Sequence, residues 1–298
     1  MDLIYRFDPF LPLAGRKVDT SDEAARLLRE GNDLFVTIAG RVREHFQGTE
    51  DHHGEPLVVP LDPMTFGIPM VNGSAVAQSP FALVLGCSDA RAPVELIFQQ
   101  TCNDVFVVRV AGNVLGVECL GSIDYAARNL GNSLKLVVVL GHTNCGAVTA
   151  AVDMYLDPHD YPDLDLTHSL RSLIDRIMIA VRGSAKALER AGGPTVVHSP
   201  GYRAALLEIS LYLNAALTSF DLRRELQASG DRAGIDVVYG VFDIITQRVR
   251  AMPDGVGTPG EHSSFGTAPL QVQDFERLSA DLVRSVVSRG ILYRSPAN

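Results

Sequence analysis

The chain has no tryptophan, only four cysteines in 298 residues, and no run of lysine and arginine. Its formal net charge is −9, so the clustered positive charge that draws a protein to nucleic acid or to an anionic bilayer is missing. Polyanions and membranes are therefore not expected partners. Apolar runs such as Leu136 to Leu140 are far shorter than the roughly 20 residues that span a bilayer. The first residues, Met1 to Pro9, hold an early acid and no continuous apolar stretch, which is wrong for a secretory signal. The expected compartment is the cytoplasm. In that reducing setting Cys87, Cys102, Cys119 and Cys145 read as metal ligands or buried hydrophobes rather than disulfide partners. No Walker-type phosphate loop and no Gly-x-Ser-x-Gly elbow occurs, which removes the usual signals of an NTPase or a serine hydrolase.

What is present is ordinary for a folded protein: 46% hydrophobic and 20% charged residues, enough for one sizeable core. Thr20 followed by Glu23 has the form of a capping box, and Ala24, Leu27 and Leu28 continue at helical spacing before Gly31. A second helical stretch runs from Asp33 to His45. Residues 47–77, rich in Gly, Pro, His and acids without a sustained period, read as a loop insertion. Three short apolar runs follow, Phe81 to Leu85, Val105 to Val110 and Leu134 to Leu140, with the character of buried parallel strands. Between them, Pro93 to Gln100 and Cys119 to Leu130 have helical spacing, so strand and helix alternate as in βαβ units.

Further on, Asp157 to Asp165 reads as a surface loop, 166–191 and 201–228 as helical, and Val237 to Phe242 as another strand. Ala251 to Gly266 is a Pro/Gly-rich connection, and Asp274 to Ser288 a terminal helix. The expected architecture is α/β: a mainly parallel central β-sheet flanked by helices, with an N-terminal helical arm and a long C-terminal extension. One domain, 1–298, is expected, divided into the arm (1–46), the loop insertion (47–77), a catalytic core (78–250) and a tail with its helix (251–298).

In an open parallel sheet the chemistry collects beyond the carboxyl ends of the strands. The first predicted core strand runs into Gly86-Cys87-Ser88-Asp89-Ala90-Arg91, and the third into Gly141-His142-Thr143-Asn144-Cys145-Gly146. Two cysteines and a histidine make a set of three protein ligands, the pattern of a catalytic zinc site whose fourth position stays open. Zinc can bring the pKa of a water it polarises from about 9 to about 7. Two thiolates donate more charge than imidazoles would, so something must compensate. Asp89, clamped by Arg91, is the candidate. Each residue alone has a plainer reading. His142 could be a satisfied core histidine, Cys87 and Cys145 small buried hydrophobes, and Asp89–Arg91 a surface pair. Cys102 and Cys119 read as structural, and Asp51, His52, His53, His159 and His168 as solvated.

At these residues the sequence resembles the β-class carbonic anhydrases, whose signature pairs Cys-x-Asp-x-Arg with a later His-x-x-Cys. The resemblance extends through Phe106 to Asn113, Leu120 to Ala126 and Val139 to His142. It is strong over about 78–152, and looser at Leu27 to Phe35 and Val238 to Val249. It implies reversible hydration of carbon dioxide to bicarbonate and a proton, with Zn2+ on Cys87, His142 and Cys145 and with Asp89 and Arg91 as catalytic residues beside it. It further implies substrate contacts from Gln78, Phe106, Ala111, Tyr125 and Gly146, and a homodimer or a multiple of one.

Gln78 matches the plant-like, open-site subclass. The closed subclass usually carries tryptophan three residues before its first cysteine, where this chain has Val84. Departures are Val110, where many relatives have Asn, Ala111, smaller than the Val of some, and longer segments at 47–77 and 155–200. Two alternatives stay open: the same zinc site hydrolysing carbon disulfide or carbonyl sulfide, and a zinc-stabilised binding protein without turnover.

Overall fold

The computed structural model describes residues 2–7, 17–49, 56–62, 65–69, 72–158, 167–228, 234–253 and 263–294. Its N-terminal part holds a feature absent from the expectation. Strand β1 (Leu3–Phe7) pairs in parallel with β2 (Leu57–Leu61), Leu3 opposite Leu57 and Phe7 opposite Leu61. The first lies in the stretch read as a helical arm and the second in the stretch read as a loop. Every residue of β1 is exposed, so neither strand shows the buried periodicity by which a strand is read from sequence.

Helix α1 (Ser21–Gln47) joins the two strands. Its N-cap is Thr20, whose hydroxyl accepts from the Glu23 amide at 3.2 Å, and Gly48 closes it at φ 66°. Where two helices separated at Gly31 were expected, one continuous helix is found. The reason is tertiary. A Cβ on Gly31 would stand 1.7 Å from the Phe98 carbonyl oxygen, so glycine is there for close approach rather than as a breaker. Next to it Asn32 donates to the carbonyls of Ile97 (3.2 Å) and Gln247 (3.0 Å) and accepts from the Val249 amide (2.9 Å). Gly31 and Asn32 are thus the point where α1 docks.

The core follows the expected alternation. Strand β3 (Ala82–Gly86) leads through α2 (Val94–Ile97) to β4 (Val105–Arg109), then through α3 (Val117–Asn129) to β5 (Leu136–His142). Next come α4 (Gly146–Leu156), α5 (His168–Gly192), α6 (Tyr202–Ala228), β6 (Asp236–Phe242), the short β7 (Val249–Arg250) and β8 (Gly266–Thr267), and α7 (Val272–Ser288). The sheet order is β4-β3-β5-β6-β7, with β8 also on β6. The pairs β3/β4, β3/β5 and β5/β6 are parallel, and β7 and β8 run antiparallel to β6. The architecture is α/β with a mainly parallel sheet, as the sequence led one to expect.

All of β3 and β5 is buried, because both faces of the sheet are covered. On one face Leu83, Leu85, Val137 and Val139 pack with residues of α4, α5, α6 and α7. On the other, Val84, Leu136, Val138 and Leu140 meet Leu28 of α1 together with Val94, Ile97 and Phe98. Each such aliphatic side chain contributes about 1.5–3 kcal/mol. Asp51, His52, His53 and His159, with most of the loop expected at Asp157 to Asp165, lie outside the described residues. Among the described residues no helix is long and apolar enough to cross a membrane.

The docking of α1 gives a direct test. Gly31→Ala should destabilise the chain by about 1–3 kcal/mol, the usual range for overpacking, since the added methyl meets backbone oxygen that cannot swing away. Urea denaturation decides it, and an unchanged midpoint would show that α1 does not sit against Phe98.

Candidate metal centre

Parallel register brings two strand ends together. Gly86 of β3 lies opposite Leu140 of β5, so Cys87, one residue past β3, and His142, the last residue of β5, emerge side by side. Asn144 then takes a left-handed conformation at φ 58°, which turns the chain so that Cys145 becomes the N-cap of α4. The sulfurs of Cys87 and Cys145 and a ring nitrogen of His142 all lie within 4.8 Å of one another, and all three residues are buried.

The imidazole is oriented from behind. His142 Nδ1 lies 2.9 Å from the Thr143 carbonyl oxygen. A carbonyl can only accept, so Nδ1 carries a proton and, in the neutral ring, Nε2 presents a lone pair to the sulfurs. That Nε2 is buried and has no hydrogen-bond partner among the described residues. A buried acceptor left orphaned beside two thiols is what a soft divalent cation would satisfy, with nitrogen and sulfur as its preferred donors. The donor set fits a metal ion, and three protein ligands leave its fourth position open.

Charge in this cluster is strongly coupled. The hydrogen bond from the Cys145 thiol, against the cost of burial, holds Cys87 well below the usual thiol range, aided by His142 and the Asp89 and Gly112 amides. Sharing with Cys87, together with burial, pushes Cys145 up. Burial opposes protonation of His142, but Cys87, the Thr143 carbonyl and Asp89 together hold its pKa above the ordinary value.

Asp89 is held by Arg91. Its Oδ1 accepts from the Arg91 amide (2.9 Å) and Nε (3.0 Å), and its Oδ2 from Nη2 (2.7 Å), a fork that drives the carboxyl far below the normal carboxylate range. Arg91 Nη2 also reaches the Asn144 carbonyl at 3.2 Å, so one guanidinium ties both ligand loops. Asp89 Oδ2 stands 3.9 Å from His142 Nε2, near enough to face whatever occupies the open position.

Two contributors were not read from the sequence. Arg109, at the end of β4, donates from Nε to the Cys87 carbonyl (2.9 Å) and from Nη2 to the Asp89 carbonyl (2.6 Å). The Gly112 amide donates to Cys87 Sγ at 3.4 Å. Both lie within the block from Phe106 to Asn113, so the signal was present, without a role attached.

Of the other candidates, Ala111 opens the short 3-10 turn that holds Gly112, and Gly146 begins α4 directly after Cys145. The other three make no hydrogen bond to the cluster among the described residues. Gln78 is exposed at the amino end of β3, where Asn103 grips its neighbours Ala77 (3.0 Å) and Ser79 (3.1 Å), a strand length from Cys87. Phe106 lies back along the edge strand β4, opposite Leu83. Tyr125 is exposed on α3. Cys102 is exposed, and Cys119 packs at the margin of the core.

Residues 82–218 match the family model described as "Carbonic anhydrase". Carbonic anhydrase 2 of Mycobacterium tuberculosis is 41% identical over 129 residues, 43% of this chain and 51% of that protein. The match thus spans about half the length of that relative. A carbonic anhydrase of Mycolicibacterium smegmatis is 39% identical over 165 residues, 55% of this chain and 70% of its own length. The solved structure of Coccomyxa β-carbonic anhydrase in complex with acetazolamide aligns with a TM-score of 0.47 and 20% identity, over 72% of this chain and 85% of that one. With 39% identity carried across more than two thirds of the Mycolicibacterium protein, the chain belongs to the β-class carbonic anhydrases.

Proposed function

We propose that the chain binds Zn2+ through Cys87, His142 and Cys145 and catalyses the reversible hydration of carbon dioxide to bicarbonate and a proton. The observation that carries the reading is the buried Cys-His-Cys cluster within 4.8 Å, with Asp89 clamped beside it by Arg91. Zinc in such a site supplies a Lewis acid that makes water nucleophilic at neutral pH.

The chain's own groups supply orientation. Asp89, ionised and pinned by its fork, accepts a hydrogen bond from the nucleophile and directs its lone pair. Arg91 keeps that carboxylate from turning to the metal as a fourth ligand, which supports the open-site subclass. The Gly146 amide, at the first turn of α4, offers a donor and the positive end of a helix dipole to developing negative charge. Ala111 contributes a small apolar wall suited to an uncharged substrate.

Gln78, Phe106 and Tyr125 enter this reading as contributions to a second copy's site. Gln78 and Tyr125 are exposed, Phe106 packs along β4 against the core, and β4 is an outer strand of its sheet. A homodimer, or a multiple of one, follows from that assignment.

Stopped-flow CO2 hydration on protein of measured zinc content is the test. Turnover is expected with zinc near one per chain, rising with pH as a single ionisation, and loss of turnover on chelation. Full zinc without hydration would sink the proposal.

Cys145→Ser should cost the protein most of its zinc, because a hydroxyl replaces one of three ligands. Metal analysis of the purified variant checks this, and full occupancy would mean that the ligand set is wrong. Arg91→Ala should keep its zinc yet lose about 10- to 100-fold in hydration rate, since Asp89 is then free to turn. Near-native kinetics would reduce the pair to a surface ion bridge.

A further inference from the structure

Gly112 is held from several directions. It sits at φ 71°, ψ 13° between β4 and α3, a backbone conformation that glycine adopts most readily. A Cβ there would lie 2.6 Å from Ile177 Cδ1 and 3.2 Å from Ala147 Cβ, so side chains of α5 and α4 close directly on its Cα. Its N–H donates to Cys87 Sγ at 3.4 Å. Its carbonyl accepts from Asn214 Nδ2 at 2.8 Å, in a buried bond from α6.

Asn214 is one of several buried polar residues of α6, with Ser210, Thr218 and Ser219. It is 2% exposed on a helix where Leu213, Ala215 and Ala216 beside it all belong to the apolar core. Burying a primary amide there is costly unless it is used, and its donor is spent on a backbone carbonyl whose own residue also touches the Cys87 sulfur. The bond fixes the peptide after the Gly112 Cα, while Ile177 and Ala147 fix the Cα itself. The N–H before it is left with one direction, toward Sγ.

We propose that Asn214 is a positioning residue for the Cys87 thiolate: through Gly112 it keeps a backbone N–H on Sγ and so lowers the charge this sulfur donates to a bound metal. The proposal rests on Cys87 as a metal ligand and not on the identity of the molecule turned over. It answers the difficulty that two thiolates raise, since hydrogen bonds to ligand atoms tune a metal from outside its coordination sphere.

The full chain loaded with Co2+ provides a readout separate from activity, because the sulfur-to-cobalt charge-transfer band follows the charge on the thiolate. Asn214→Leu, apolar and similar in size, should shift that band to lower energy and, because the Gly112 peptide no longer holds Cys87 in place, weaken Co2+ binding about tenfold. Asn214→Ala removes the same donor without new bulk and should shift it the same way, which covers a leucine that fails to pack. Ser210→Ala is the control: Ser210 is fully buried on the same helix, and its hydroxyl has no partner among the described residues. It should leave band and affinity unchanged. A folded Asn214 variant with the native band and an affinity within twofold of wild type overturns the proposal, as does an equal shift in the Ser210 control. Wild-type chain that takes up no Co2+ removes the metal centre and this role together.

Discussion

The packing of two thiols and an imidazole within 4.8 Å of one another is the constraint from which the rest of the active edge follows. Removing both thiol protons would place two negative charges where water cannot screen them. The opposite shifts of the sulfurs express that conflict: Cys87 ionises easily only because Cys145 keeps its proton. A divalent cation resolves it by letting both ionise, and binding of that kind is coupled to folding of the segments that carry the ligands. The adjoining loops hold the candidate ligands in place.

That hold is built mainly from backbone carbonyls gripped by arginines. Arg91 spans from Asp89 to the Asn144 carbonyl, joining the loop after β3 to the loop after β5. Arg109 reaches across from β4 to the carbonyls of Cys87 and Asp89. Behind His142, the Thr143 hydroxyl accepts from the Ile244 amide at 3.0 Å and lies 3.3 Å from Asp243, so the carbonyl that orients the imidazole is tied to the end of β6. Neighbouring strands each contribute one such tie, which is why parallel register matters to the chemistry and not only to the core.

The candidate ligands were legible because each follows a continuous apolar run. Cys87 comes after Ala82–Gly86, and His142 and Cys145 come after Leu136, with both strands buried on their two faces. Pattern alone then put metal-type side chains at one edge of a parallel sheet, while roles for Asp89 and Arg91 owed more to resemblance. What escaped was non-local. Gly31 has the local signature of a helix break, and only its contact with Phe98 explains an unbroken α1. The β1–β2 pair is joined across that whole helix and has little buried pattern to betray it. Asn214 reads as one polar residue in a long helix, and its partner lies on the far side of the sheet sequence.

The same constraint bears on why the site is finished by neutral donors. A divalent ion bound by two thiolates has its formal charge cancelled, and a third anionic ligand would leave it a poor Lewis acid. On the proposed reading Asp89 is useful only while it is kept off the metal, and its fork with Arg91 holds both carboxylate oxygens while leaving Oδ2 a lone pair for the nucleophile. The remaining groups that touch the sulfurs are backbone amides: Asp89 and Gly112 at Cys87, Ala147 and Val148 at Cys145. Each draws electron density from sulfur without adding net charge. With a metal bound as proposed, these hydrogen bonds would bring its acidity toward what neutral imidazole ligands give directly. That strategy is sensitive to backbone direction, so it requires the rigid helix contacts made at Gly112.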